Sequence, residues 1–144
     1  MKRYNLINNS LGWVIFVIAT VTYMLTLEPT ASFWDCGEFI SQGYKLEVGH
    51  PPGNPIFMLT ANFFTHFASS PSQVALCVNA MSGLLSAGCI LLLFWTVTHL
   101  VRRLITKDGQ EEYSWMQIAL IMGSGVCGAL AYAWSDTFWF SAVE

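Results

Sequence analysis

Residues 34–55 read WDCGEFISQGYKLEVGHPPGNP and form a short polar stretch between long apolar runs. The stretch contains Asp35, Glu38, Lys45, Glu47 and His50, and it ends in a Pro-Pro-Gly turn signal. The rest of the chain is strongly apolar, so this concentration of ionisable side chains indicates a functional site.

The composition points to a membrane protein. Hydrophobic residues make up 54% of the 144 and charged residues only 10%, whereas soluble domains average about 25% charged residues. The net charge of −3, with no basic cluster larger than Arg102-Arg103, argues against a nucleic-acid partner. The four cysteines lack metal-ligand spacing, and three of them lie in apolar runs, where a thiol behaves as a small hydrophobe.

Three apolar runs, at 11–27, 74–101 and 116–134, are predicted to span a membrane. The first resembles a signal peptide, but it lacks a small-x-small cleavage site and is interpreted as a retained span. The second, without a charge, would reach about 40 Å as a helix. Trp115 and Trp134 flank the third run as interfacial anchors.

Residues 56–67 are apolar but would reach only about 18 Å as a helix, well short of the roughly 30 Å hydrocarbon core. On a helical wheel one side carries Ile56, Leu59, Phe63, Phe64 and Phe67, and the other carries Asn62, Thr65 and His66. This pattern predicts an amphipathic helix that lies in the membrane interface without crossing.

The positive charges predict the topology. Five of the six Lys and Arg residues lie in the N-terminal head and at 102–107, and only Lys45 lies elsewhere. The positive-inside rule then places the N-terminus and the charged loop at 107–112 in the cytoplasm, and loop 28–73 on the outer side. The predicted fold is an all-α polytopic membrane bundle with three spans and an interfacial helix at 56–67 in that outer loop.

The acids Asp35 and Glu38 are the strongest candidates for chemistry. Residues three apart share a face of a helix, and neighbouring carboxylates raise the pKa of one of the pair, which suits a general base. Two ordinary solvated acids in a loop explain the residues equally well. His50 before the two prolines could contact a phosphate, although a rigid turn joining two helices also accounts for the prolines.

Residues 123–128, GSGVCG, match the GxGxxG dinucleotide fingerprint. That fingerprint needs a preceding strand, and here it lies inside a predicted span. Glycine-mediated helix packing is the favoured interpretation.

Three segments carry a family resemblance: WDCGEF at 34–39, GHPPGNPIF at 49–57 and SDTFWFSAVE at 135–144. The chain resembles a family of large membrane proteins. That family includes bacterial members of unknown function and the eukaryotic transmembrane O-mannosyltransferase of plexin-type receptors. Its members are several times longer, so the chain is expected to be an N-terminal portion of a GT-C-like domain.

The resemblance implies an inverting GT-C glycosyltransferase that moves a sugar, mannose in this family, from a polyprenyl-phosphate carrier to Ser or Thr of an exported acceptor protein. It implies Asp35 as the catalytic acid and Glu38 as the second acid, with Lys45 and His50 neutralising the departing phosphate. The donor is a lipid-phosphate-linked sugar at the membrane lipid, no separate cofactor is implied, and a divalent metal is left open. The expected location is the bacterial inner membrane.

A second function class is also compatible with the residues. In a non-catalytic membrane subunit or a transporter segment, the same acids would pair structurally or bind a cation. The two classes differ in whether any chemistry depends on Asp35.

Overall fold

The computed structural model describes residues 2–51, 53–106 and 112–144. Within these ranges the ordered elements are all helical, so the all-α prediction is confirmed. The helices are α1 (Lys2–Leu25), α2 (Cys36–Lys45), α3 (Pro55–Thr65), α4 (Val74–Ile105), α5 (Trp115–Ala133) and α6 (Asp136–Val143), and a 3₁₀ turn (Pro71–Gln73) leads directly into α4.

Three helices are long and apolar enough to cross a membrane: α1, α4 with its preceding 3₁₀ turn, and α5. This agrees with the predicted membrane bundle and makes the chain an integral membrane protein. α1 already begins at Lys2, nine residues before the apolar run, because the polar head contains no helix breaker. The predicted charged loop at 107–112 lies, apart from Glu112, outside the described residues.

Local signals explain where these helices begin and end. α5 starts at a complete capping box, in which the Ser114 hydroxyl accepts from the Gln117 amide and the Gln117 side chain accepts from the Ser114 amide. α4 ends with Arg102 and Arg103 in its last turn, where positive charge complements the helix dipole.

The chain divides into two compact units. The first, here called the span unit, consists of the described residues of 1–22 and 86–139. Its buried side chains include Ile15, Phe94 and Ile121. Gly125 lies against Phe94 and Thr98, since a Cβ there would come within 2.5 Å of Thr98 Cγ2. The glycine-packing interpretation of 123–128 therefore holds for this middle glycine, while a Cβ at Gly123 would meet nothing within 4 Å.

The second unit, here called the loop unit, consists of the described residues of 23–85 and 140–144. Its apolar core is formed by Ala61, Val78 and Met81, with Ile40, Phe57 and Phe64 packed against them. α2 approaches α3 closely because Gly43 has no side chain: a Cβ there would lie 2.8 Å from that of Ala61.

Two side chains of α3 lie differently from a simple two-sided wheel. Ile56, Leu59 and Phe63 are exposed as an apolar stripe, but Phe64 packs against the core of the loop unit. Thr65, assigned to the polar side, is buried. The reason is that α3 packs on its neighbours as well as presenting an apolar surface. At 11 residues it is about 16 Å long and too short to cross the membrane.

Candidate functional site

Helix α2 presents the predicted acids at its first turn. Asp35 is the N-cap residue, and its side chain is exposed and makes no capping hydrogen bond. Glu38 follows in the first turn. The N-terminus of a helix favours negative charge, so both carboxylates lie at the end of α2 that suits acidic side chains.

Both ends of α2 have a left-handed backbone at a residue other than glycine. Trp34, immediately before Asp35, has φ +62°, and Leu46, after the last turn, has φ +56°. Such a residue costs about 1–2 kcal/mol, and strained backbone tends to cluster at functional sites. The Trp34 side chain is 93% exposed, so burial of the indole does not explain the strain.

The turn at Leu46 brings the following chain back along α2. The Glu47 amide donates to the Gln42 carbonyl at 3.0 Å, and the segment then reaches Glu38. One carboxylate oxygen, Glu38 Oε1, accepts three hydrogen bonds: from Gln42 Nε2 at 2.7 Å, from the His50 amide at 3.2 Å and from His50 Nδ1 at 3.0 Å. Glu38 therefore fixes the position of His50.

This contact shifts both pKa values. Hydrogen bonds from the His50 ring, from Gln42 and from the His50 amide lower the pKa of Glu38 below its ordinary value. The same Glu38 contact raises the pKa of His50, and the charge of Asp35 adds to that rise. A lowered pKa makes Glu38 a weak proton acceptor, whereas a protonated His50 is favoured.

The HPPG sequence closes a turn at this site. The Gly53 amide donates to the His50 carbonyl at 2.9 Å, and Gly53 has φ +72°, which glycine adopts without steric cost. Within the described residues the His50 Nε2 atom has no hydrogen-bond partner, so it is the ring nitrogen that remains for a ligand.

The structure separates Lys45 from the acids. Lys45 lies in the last turn of α2, whereas Asp35 and Glu38 lie at its beginning. Along the helix axis Lys45 is roughly 15 Å from Asp35 and roughly 10 Å from Glu38. Its side chain is exposed and makes no hydrogen bond or ion pair within the described ranges. Of the two predicted phosphate contacts, only His50 is brought to the acids.

A pocket of about 500 Å³ opens beside Cys36, the residue after Asp35. All its lining residues belong to the loop unit: Cys36, Phe39, Ile40, Asn54, Phe57, Val78, Asn79, Ser82, Ser141 and Glu144. Apolar and aromatic walls thus surround several neutral polar groups and a single carboxylate.

Glu144 is a residue of this site that the sequence analysis did not single out. One carboxylate oxygen accepts a hydrogen bond from the Ser32 hydroxyl, and the other lies 3.8 Å from the Cys36 thiol. Burial and the negative charge of Glu144 raise the pKa of that thiol. The signal available in the sequence is an isolated acid after an aromatic, apolar segment, inside one of the three stretches that carried the resemblance.

Asn79 is a second residue that the sequence analysis did not single out. It is 2% exposed and lines the pocket. Its Nδ2 donates to the carbonyls of Glu28 and Thr30 at 2.8 and 3.1 Å. Its Oδ1 accepts no hydrogen bond from any residue that the structure describes. An amide inside a charge-free span is the signal that could have identified it, since polar groups in such helices are costly and often functional.

The described ranges bring no three His, Cys, Asp or Glu side chains into a group that could hold a metal ion. Three acids of the loop unit, Glu28, Glu38 and Glu144, instead contact hydroxyl, amide, imidazole and thiol groups. The chemistry that these residues can carry out themselves is proton transfer and hydrogen bonding.

Comparisons with known proteins identify the family. Residues 35–144 match the family described as the Protein O-mannosyl-transferase TMEM260 N-terminal domain. The chain belongs to this family. It is 38% identical over 87 residues to the protein O-mannosyl-transferase TMEM260 of Mus musculus, covering 60% of this chain and 12% of that protein. It is 31% identical over 85 residues to the protein O-mannosyl-transferase of the same name from Dictyostelium discoideum, covering 58% of this chain and 10% of that protein.

The chain therefore spans about a tenth of the length of these relatives. No solved structure matches it. The match to the family begins at Asp35 and includes α2, the turn at His50 and Glu144, so the whole acidic site lies within the matched region.

Proposed function

We propose that the chain is the N-terminal membrane portion of a glycosyltransferase that moves a mannosyl group from a polyprenyl-phosphate carrier to Ser or Thr hydroxyls of exported proteins. The observation that carries the proposal is the family match over residues 35–144, which contains the entire acidic site. The relatives' name, protein O-mannosyl-transferase, supplies the reaction class.

In the proposed reaction Asp35 is the general base. The acceptor hydroxyl oxygen attacks the anomeric carbon of the sugar, and its proton passes to the Asp35 carboxylate. The bond between that carbon and the phosphate oxygen breaks, and polyprenyl phosphate leaves with the electron pair. Attack opposite the leaving group inverts the configuration. The free, exposed Asp35 carboxylate suits this role, because no hydrogen bond within the described residues competes for it.

Glu38 and His50 have supporting roles in this proposal. Glu38 acts as a positioning residue, because all three described donors to its carboxylate converge on one oxygen and two of them belong to His50. The protonated His50 ring offers Nε2 to an oxygen of the departing phosphate, where positive charge offsets the developing negative charge. Lys45, at the far end of α2, would act on phosphate only at a distance or after a rearrangement.

The proposed orientation has the N-terminus in the cytoplasm and the acidic loop on the outer face, where exported acceptors are available. The distribution of Lys and Arg supports it. The outer face would be periplasmic in a bacterial inner membrane, and this location stays a prediction, since both relatives named above are eukaryotic.

The test is Asp35→Asn in the full-length protein, with a mannosylated polyprenyl phosphate as donor and a Ser/Thr peptide as acceptor. Transfer is expected to fall by about 10²-fold or more, the usual scale for losing a positioned general base. Thermal stability should hold, since the exposed carboxylate makes no described hydrogen bond. Glu47→Gln, an equivalent change at an exposed acid of the same unit, serves as the control and should leave transfer unchanged.

Full transfer by a folded Asp35→Asn protein would exclude Asp35 as the base. If the wild-type protein transfers no sugar and the acids affect only folding or cation binding, the non-catalytic subunit or transporter segment becomes the better description.

A further inference from the structure

We propose that the pocket of the loop unit binds the sugar ring of the donor, and that Glu144 and Asn79 accept hydrogen bonds from its hydroxyl groups. The inference rests on the proposed function, because it names the part of the donor that this pocket recognises. The phosphate then lies outside the pocket.

The charge of the pocket excludes phosphate from it. Among the described residues that line the pocket, Glu144 is the only ionisable acid or base apart from the Cys36 thiol, whose pKa is raised. A phosphate placed there would face a carboxylate, and none of these described lining residues is a lysine, arginine or histidine that could offset the repulsion. His50, which carries the raised pKa, is not among the lining residues.

The hydrogen-bonding groups of the pocket call for a ligand that donates. The Asn79 amide group donates to two backbone carbonyls, which leaves its oxygen as an acceptor, and this residue is almost completely buried. The Glu144 carboxylate has further acceptor positions beyond its contacts with Ser32 and Cys36. Both residues line the pocket, and a ligand that carries hydroxyl groups could donate hydrogen bonds to both.

The walls of the pocket suit a sugar ring better than a simple alcohol. Phe39 and Phe57 pack edge-to-face with ring centroids 5.5 Å apart and both line the pocket. Asn54, Ser82 and Ser141 add neutral polar groups. A hexose combines several hydroxyl groups with apolar C–H faces, and so matches this mixture of aromatic and polar lining.

The experiment measures binding of two probes to the full-length protein: farnesyl phosphate and mannosyl farnesyl phosphate. In the wild type the mannosyl probe should bind more tightly. Glu144→Gln keeps the size of the side chain and removes its charge. It should weaken binding of the mannosyl probe by at least about tenfold, the scale of one hydrogen bond to a charged group. The affinity for farnesyl phosphate should change by less than twofold. Glu47→Gln is the matched control and should change neither.

A second variant tests the pocket without changing Glu144, whose contacts with Ser32 and Cys36 could also affect folding. Ser82 lines the pocket and makes no hydrogen bond within the described ranges. Ser82→Leu would fill the space, and should therefore weaken the mannosyl probe while farnesyl phosphate still binds.

The outcomes separate the two proposals. If the wild type transfers mannose but Glu144→Gln and Ser82→Leu weaken both probes equally, or weaken neither, the sugar does not bind in this pocket and only this inference fails. If the wild type binds neither probe and transfers no sugar, the proposed function fails and the inference fails with it.

Discussion

The span unit and the loop unit use their charged residues in different ways. In the span unit, Arg3 lies 4.1 Å from the centroid of the Trp115 ring and donates to the Tyr113 carbonyl, and Arg102 lies 5.5 Å from the centroid of Tyr4. These cations are held by aromatic rings, an arrangement typical of helix ends at a membrane surface.

In the loop unit the charges contact titratable and polar partners instead. Glu38 is bound to His50, and Glu144 contacts Ser32 and the Cys36 thiol. Those two arginines of the span unit are engaged by aromatic rings. In the loop unit Glu144 lines a pocket, and Glu38 fixes the position of His50. This difference is the reason for placing the proposed site in the second unit.

The largest expected effect is all-or-none and concerns the membrane side of each segment. A single cysteine placed at Ser70, in the predicted outer loop, should react with an impermeant thiol reagent added from outside. A cysteine placed at Gln110 should react only after the membrane is opened. These experiments use a full-length background whose native cysteines have been replaced, and the reverse labelling pattern would overturn the proposed orientation.

A large stability effect is expected where the span unit packs through a glycine. The side chain in Gly125→Val would collide with Thr98 and with the fully buried Phe94. Overpacking of this kind costs about 3 kcal/mol. Gly123→Val in the same helix meets open space and is the matched control. Thermal unfolding in detergent should separate the two variants, and equal melting temperatures would show that Gly125 is not a packing position.

The three long helices could largely be predicted from the sequence, because length and hydropathy alone identify them. The runs at 74–101 and 116–134 fall within α4 and α5 to within a few residues. The start of α1 could not be placed this way. Hydropathy indicates a helix only from residue 11, but the polar head contains no helix breaker and the helix extends back through it. Gly125 packs because Phe94 of another helix lies against it. The periodicity of a single helix cannot predict such a contact between helices.

The loop unit should depend on its buried polar contacts as well as on the close packing at Gly43. Asn79→Ala removes the donor to the Glu28 and Thr30 carbonyls, and leaving such groups unsatisfied costs about 2 kcal/mol. Asn9→Ala, at an exposed position of α1 with no described hydrogen bond, is the control. Chemical unfolding of the full-length protein measures the difference, and an unchanged midpoint for Asn79→Ala would mean that these bonds contribute nothing net.

The acidic site was predictable in position but not in its pairing. Asp35, Glu38 and His50 stand out in the sequence because they are ionisable residues in an apolar chain. The contact between Glu38 and His50 spans twelve residues and depends on the left-handed turn at Leu46, a conformation that is uncommon for leucine. Lys45 is closer to Glu38 in sequence than His50 is, yet it lies at the opposite end of α2, and of these two described residues only His50 contacts Glu38. Glu144 joins the site across more than one hundred residues, a contact that no local pattern encodes.

The smallest expected effect is the pH dependence of the Glu38–His50 pair in the loop unit. The pKa of His50 is raised above its ordinary value of 6.5, so its protonated form stabilises the fold below that value. This contribution is lost as the pH rises through the raised pKa. The pKa of Glu38 is lowered below its ordinary value of 4.5, so its ionised form stabilises the fold above that value. This second contribution is lost as the pH falls through the lowered pKa.

The pair should therefore be intact between these two shifted pKa values, and His50 should lose its proton above its ordinary pKa of 6.5. In Glu38→Gln the pKa of His50, followed by NMR of labelled histidine in the full-length protein, should fall back toward 6.5, because the neutral amide no longer favours the charged ring. Asp35→Asn should lower it less, since Asp35 acts on His50 only through its charge. If Glu38→Gln leaves the titration of His50 unchanged while Asp35→Asn moves it, then Asp35 rather than Glu38 is the partner of His50, and the assignment of Glu38 as the positioning residue is wrong.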